Sequence, residues 1–292
     1  MTRQAKRWTR PPWSFRLAKF LNRHRIRGGY RLLNTAADLG WLDGLVRYEL
    51  GEQVAILVPL ARPDNRWSRE DVERYESGAV TAFSERLETL ERPVLVDCGA
   101  DIGLFSARVA ARVPGLREVL AFEPNAEAFA VLAENMALLG CPGRAEQVAL
   151  GSFSGRGVLS SSARDRSAHA QFVVPAPEGG GDFDVRRIDD LGLARDASLG
   201  IKIDVEGSEL EVLRGAERTL REAPHFVALF EAHSEVCERT GVDPSEVLRW
   251  LAGVRPIRHQ VAERRDLTID SARPFFEQVD EPRICNVVCW TG

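Results

Sequence analysis

The chain is 292 residues long, with 44% hydrophobic residues, 28% charged residues and a net charge of −4. Those values are those of an ordinary soluble globular protein, large enough for one α/β domain plus an appended segment. No run of about 18 apolar residues occurs, so no membrane-spanning helix is indicated.

Three zones follow one another along the chain. Residues 1–31 form a basic arm with ten Lys or Arg and no acid, and a short apolar pattern (Trp13, Phe15, Leu17, Phe20, Leu21) in its middle. The remaining residues hold 29 bases against 43 acids, a balance of −14. An acidic body argues against nucleic acid lying across it. The arm lacks an apolar core and a small-residue cleavage site, so it does not read as a secretory signal. It is either a short amphipathic helix on an anionic membrane surface or a partner, or a solvated tail; the short apolar face favours the tail.

Residues 32–92 form a lead-in region. Leu45–Leu50 and Val54–Leu60 flank Gly51-Glu52-Gln53 and predict a hairpin. Ser68–Leu90 carries Val72, Tyr75, Val80, Phe83, Leu87 and Leu90 at helical spacing and predicts one helix.

From residue 93 to 292 apolar runs alternate with helical stretches. The predicted strands are Val94–Val96, Glu118–Phe122, Ala145–Val148, Leu199–Val205, Phe226–Glu231 and Ile284–Trp290. The predicted helices are Leu104–Val113, Ala126–Leu139, Ser208–Leu220 and Ser245–Leu251. This alternation implies an α/β fold, a parallel sheet covered by helices on both faces. The Ser/Gly/Pro-rich stretch Gly151–Gly181 is expected to hold short strands and a loop at Pro175–Gly181, with Arg164, Arg166 and His169 near an acceptor-side lid. No internal repeat is present. Five cysteines form an odd set without C-x-x-C. Cys285 and Cys289, four apart on a strand, lie roughly 13 Å apart, too far for a disulfide; a reduced, cytoplasmic protein is expected.

The first strand of this alternation ends in Asp97-Cys98-Gly99-Ala100-Asp101-Ile102-Gly103. In an open α/β sheet, ligands bind at the carboxyl ends of the strands. Gly99 permits a sharp turn and a close approach, and Gly103 is expected to let the helix start pack on the strand. A dinucleotide fingerprint starting at Gly99 needs glycine at 101 and 104, where the chain has Asp101 and Leu104. Two acids repel a pyrophosphate and attract an amine and a sulfonium, which favours S-adenosylmethionine over NAD. Glu123 lies 24 positions after Gly99 at the tip of the next strand, where an acid accepts ribose hydroxyls; Pro124 and Asn125 then begin a helix.

Ile201-Lys-Ile-Asp-Val-Glu-Gly-Ser-Glu-Leu-Glu-Val-Leu-Arg-Gly-Ala216 completes the pattern. Together the three segments resemble the FkbM family of class I methyltransferases, with its D-x-G-A-N-x-G loop, F-E-P and K-I-D-V-E-G. The likeness covers roughly residues 93–233. It implies a seven-stranded Rossmann-like sheet, S-adenosylmethionine as methyl donor and O-methylation of a sugar or natural product. Asp97, Gly99, Ala100, Asp101, Gly103, Glu123, Pro124, Asn125 and Asp204 are the expected cofactor-binding residues. Asp101 departs from the family's Asn.

A hydroxyl acceptor must lose a proton. Lys202 and Asp204 share one side of a strand, as do Glu231 and His233 on the next. The expected catalytic set is His233 as base, Glu231 or Asp204 assisting, and Lys202 paired with Asp204. Asp204, Glu206, Glu231 and His233 also have the chemistry for Mg²⁺, though their spacing does not require it. Two rivals remain: an NAD-dependent oxidoreductase, and a non-catalytic binding protein of the same fold. The acceptor is expected to be a small molecule or glycan. The oligomeric state is not legible.

Overall fold

The computed structural model describes residues 6–24, 31, 35, 39, 44–60, 68–161, 171–178, 180–205 and 207–292. Glu206, Arg164, Arg166 and His169, singled out above, lie outside the described residues.

Strand β1 (Arg7–Trp8) precedes helix α1 (Trp13–Arg23). The predicted hairpin forms as β2 (Leu45–Glu49) and β3 (Ala55–Pro59), and the three strands make a sheet in the order β1-β2-β3. The helix expected across residues 68–90 is two: α2 (Arg69–Arg74) and α3 (Ser77–Leu87). Glu76 between them has φ +44, a left-handed value that ends the helical ladder.

The main sheet comprises β4 (Val94–Cys98), β5 (Glu118–Phe122), β6 (Gly143–Glu146), β11 (Leu199–Ile203), β12 (Phe226–His233), β13 (Ile257–Val261) and β14 (Ile284–Thr291). Its order is β13-β14-β12-β11-β4-β5-β6, with β14 antiparallel to both neighbours and the other adjacent pairs parallel. This is the seven-stranded Rossmann-like sheet that the resemblance implies. The order reverses beside β4, so the crevice beyond the carboxyl ends of β4 and β11 is the topological switch point. β4 and β11 are buried at every residue, which explains their near-continuous apolar runs.

Helices α4 (Leu104–Arg112) and α5 (Ala126–Met136) cover one face together with α3. Helices α6 (Glu209–Arg214), α7 (Glu217–Glu222) and α9 (Pro244–Val254) cover the other. α8 (Ser234–Thr240) follows β12 directly. The helix expected over 208–220 is therefore split; the Gly215 carbonyl leaves the helical ladder and accepts the Asp189 amide at 2.9 Å. β6 falls two residues earlier than expected, and β13 was not anticipated because Arg258 and Gln260 disguise an edge strand.

Between β6 and β11 the chain builds a small sheet, order β7-β10-β8-β9, from β7 (Ala149–Leu150), β8 (Gly155–Ser161), β9 (Gln171–Pro175) and β10 (Phe183–Arg186). The basic arm is more than a tail: Phe15 is buried in the same core as α3 and α4, a burial that contributes about 1.5–3 kcal/mol. Cys285 and Cys289 are free and buried.

Candidate active site

The loop after β4 is built around one steric constraint. Gly99 has φ +73, and a Cβ there would lie 2.0 Å from the Asp204 carbonyl oxygen. Only glycine lets the β4 and β11 loops touch. The Gly99 and Ala100 amides both donate to the Phe122 carbonyl at 3.0 Å, and the Asp204 amide donates to the Cys98 carbonyl at 3.1 Å. Three strand ends are thereby laced together at the switch point.

Asp101 has φ +48. Asp and Asn are the non-glycine residues that tolerate the left-handed region best, so the departure from the family's Asn keeps the backbone requirement. The Asp101 amide donates to Glu123 Oε2 at 2.9 Å, and the Asn125 amide donates to Oε1 at 2.8 Å. Glu123 is buried; burial raises its pKa, and the two amides partly offset the rise. Each carboxylate oxygen retains acceptor capacity. The Asn125 side chain caps α5 through the Glu127 and Ala128 amides, so it starts that helix as expected; Pro124 precedes it.

One expectation is corrected at Gly103. Its bare Cα faces helix α5 rather than the strand: a Cβ would lie 2.8 Å from Leu132 Cδ1.

Asp97 and Lys202 form the buried half of the site. Asp97 has no exposed surface. Its Oδ2 accepts from Ser106 Oγ at 2.6 Å, and its Oδ1 lies 3.4 Å from Lys202 Nζ. Lys202 Nζ also donates to the Gly99 carbonyl at 2.7 Å and lies 3.3 Å from Asp204 Oδ2. Burial works against the ammonium, but Asp204 and Asp97 outweigh it and hold its pKa above the usual lysine range. Lys202 is thus a brace between two acids and the glycine loop, a wider pairing than the Asp204 contact expected. Asp97 is sealed behind Lys202, whereas Asp101 and Asp204 are half-buried at the strand ends.

Glu231 and His233 share the Lys202 side of β12, as expected. The β11–β12 register pairs Ile203 with Phe230, so its continuation sets Asp204 beside Glu231. His233 ends β12. Its Nδ1 accepts the Glu235 amide at 3.2 Å and caps α8. With Nδ1 accepting, Nε2 is the ring nitrogen left to carry a hydrogen.

Two groups were missed from sequence. Glu209 lines a small cleft with Gly207, Glu231 and His233. Its Oε1 accepts the Gly207 amide at 2.9 Å. Burial, reinforced by the Asp204 charge, pushes its carboxyl up to about 7. The second is the Tyr75–Glu76 pair at the α2–α3 break. The Tyr75 hydroxyl donates to the Glu76 carboxylate, and both sense the charges of Lys202 and Asp204. Arg108, on the α4 turn after Phe105, donates to the Tyr75 carbonyl, while Lys202 Nζ sits 5.9 Å from the Phe105 ring. Glu76's left-handed backbone was the only local signal, and it is invisible in sequence.

Among the described residues no group of three or more His, Cys, Asp or Glu is placed to hold a metal ion. A cavity of about 720 Å³ lies at the opposite end of the strands near Arg117, His225 and Thr291, away from the switch point.

A family model, the methyltransferase FkbM domain, matches residues 97–262. The hexuronic acid methyltransferase AglP of Haloferax volcanii is 30% identical over 190 residues, covering 64% of this chain and 71% of that one. Methyltransferase sdnD of Sordaria araneosa is 28% identical, covering 52% of this chain and 69% of that one. The crystal structure of a methyltransferase FkbM from Methylobacillus flagellatus is 18% identical with a TM-score of 0.43, covering 73% of this chain and 53%, about half, of that one. This chain belongs to the FkbM family of methyltransferases.

Proposed function

We propose that the chain transfers a methyl group from S-adenosylmethionine to a hydroxyl of a sugar or a glycosylated natural product. The observation that carries this reading is the glycine loop packed on the β11 end, with carboxylates on the adjoining strand ends. Gly99 abuts the Asp204 carbonyl there, and Glu123, Asp101 and Asp204 supply carboxylates with no phosphate-binding glycine series. That donor set fits the cofactor: Glu123 suits ribose hydroxyls, and the remaining acids suit a cationic amine beside a sulfonium. When bound, S-adenosylmethionine supplies an electrophilic methyl group. The relatives' names, a hexuronic acid methyltransferase among them, support a sugar-type acceptor.

This chain's residues then have separable tasks. Alignment of the acceptor oxygen supplies much of the rate. Asp204, held by Lys202 and facing the crevice, accepts the hydroxyl proton. His233 offers Nε2–H to the acceptor and Glu231 lines the same edge. This reading gives the base role to a carboxylate, and the α8 cap that His233 Nδ1 accepts supports it. The test is transfer of isotope-labelled methyl to a panel of uronic acids, neutral glycosides and free alcohols. Label in a methyl ether of a sugar is expected; label absent from every sugar, or found on nitrogen or carbon, contradicts the reading.

A further inference from the structure

Helix α1 presents two faces with different fates. Phe15 is 1% exposed, packed into the core beside α3 and α4. Lys19 Nζ lies 2.7 Å from Asp71 Oδ2, and Arg23 lies 3.0 Å from Glu70. Those contacts fix the helix's rotation about its axis. Turned outward are Trp13, Leu17 and Phe20, at 75%, 42% and 54% exposure. They are spaced i, i+4, i+7 and so form one stripe. Arg16 flanks this stripe and is exposed, while Arg23 is held by Glu70. Elsewhere among the described residues, Leu39 and Ile284 are the other large hydrophobics exposed.

We infer that α1 is a docking helix for an anionic membrane surface. Charge complementarity commits the stripe to that occupant. Residues 1–31 hold ten Lys or Arg and no acid, while the rest of the chain carries −14. A protein so divided meets an anionic surface arm first, with its acidic body turned away. The chemistry of the stripe agrees: Trp and Phe sit at the headgroup level, Leu reaches the acyl boundary, and flanking Arg pairs with lipid phosphates. An 11-residue helix is about 16 Å long, enough to lie in the interface; no helix among the described residues is long and apolar enough to cross a membrane. Binding of this kind is shallow and reversible, and it is independent of the methyl-transfer reading.

Flotation of the full chain with liposomes tests the inference. With vesicles of phosphatidylcholine and phosphatidylglycerol at low salt the protein is expected to float. With phosphatidylcholine alone, or in 0.5 M salt, recovery is expected to fall several-fold. The triple variant Trp13→Ser, Leu17→Ser, Phe20→Ser is expected to lose vesicle partition by about tenfold or more with its melting temperature unchanged. A second readout keeps the idea falsifiable if that variant misfolds: anionic vesicles should blue-shift the wild-type tryptophan emission, and Trp13→Phe should remove the shift. Failure of the wild-type chain to float on anionic vesicles overturns the inference, as does equal flotation of a folded triple variant. So does a vesicle-independent dimer, seen by light scattering, that the triple variant abolishes.

Discussion

The two halves of the sheet's carboxyl edge handle charge in opposite ways. At β4 and β11 the ionic groups are sealed: Asp97 and Lys202 are buried, and Lys202 meets both Asp97 and Asp204. At the end of β12, Glu231 and His233 are half-buried and line a cleft with Glu209. The difference separates construction from contact. A buried ion pair adds little net stability but is costly to break on one side, so the β4–β11 cluster is suited to holding the glycine loop in a fixed shape. Half-open groups keep spare hydrogen-bonding capacity and are free to meet an acceptor.

The sharpest way to break this comparison is to remove the brace. Lys202→Met leaves the buried Asp97 without its cation, and a loss of about 3–5 kcal/mol of stability is expected, measurable by urea unfolding. A loss near zero would mean that the cluster is not structural. Next comes the division of labour between the halves. Asp204→Asn is expected to lower turnover by about a hundredfold. His233→Ala should lower it by roughly tenfold, and His233→Gln should recover part of that through its amide donor. Equal losses for Asp204→Asn and His233→Ala, with no rescue by Gln, would return the base role to His233.

The smallest expected effect lies at Glu209. Its folded pKa of about 7 stands above the ordinary glutamate value of 4.5. The protonated form is the one the fold favours. Its contribution is therefore fully present below about pH 4.5 and lost as the pH rises through about 7. Glu209→Gln, which cannot ionise, should match the wild type at pH 5 and melt a few degrees higher at pH 8. An unchanged difference across that range would show that Glu209 is not held in a charge-averse site.

Much of this edge was legible in the sequence. The buried strands β4, β5, β11 and β12 announce themselves as apolar runs, and the glycine loop is a local signal. Glu123 could be placed because strand length and helix length fix its position. What was hidden is long-range. The Lys202–Asp97 contact joins residues far apart in sequence through strand pairing that no local pattern encodes. The role of His233 depends on α8 starting immediately after β12, a helix the periodicity did not suggest. The Tyr75–Glu76 break falls inside a regular apolar spacing, with no proline to mark it. Gly103 was read as a strand contact because the approach of Leu132 belongs to tertiary packing.

Calorimetric titration with S-adenosylmethionine, comparing the wild type with Glu123→Ala, tests the central claim most directly. The account predicts a saturable heat for the wild type, none with NAD, and affinity at least about tenfold weaker in the variant, because ribose acceptors and the anchor for the Asp101 amide are lost together. Equal S-adenosylmethionine affinity in the two proteins, or binding of NAD by the wild type, would contradict it.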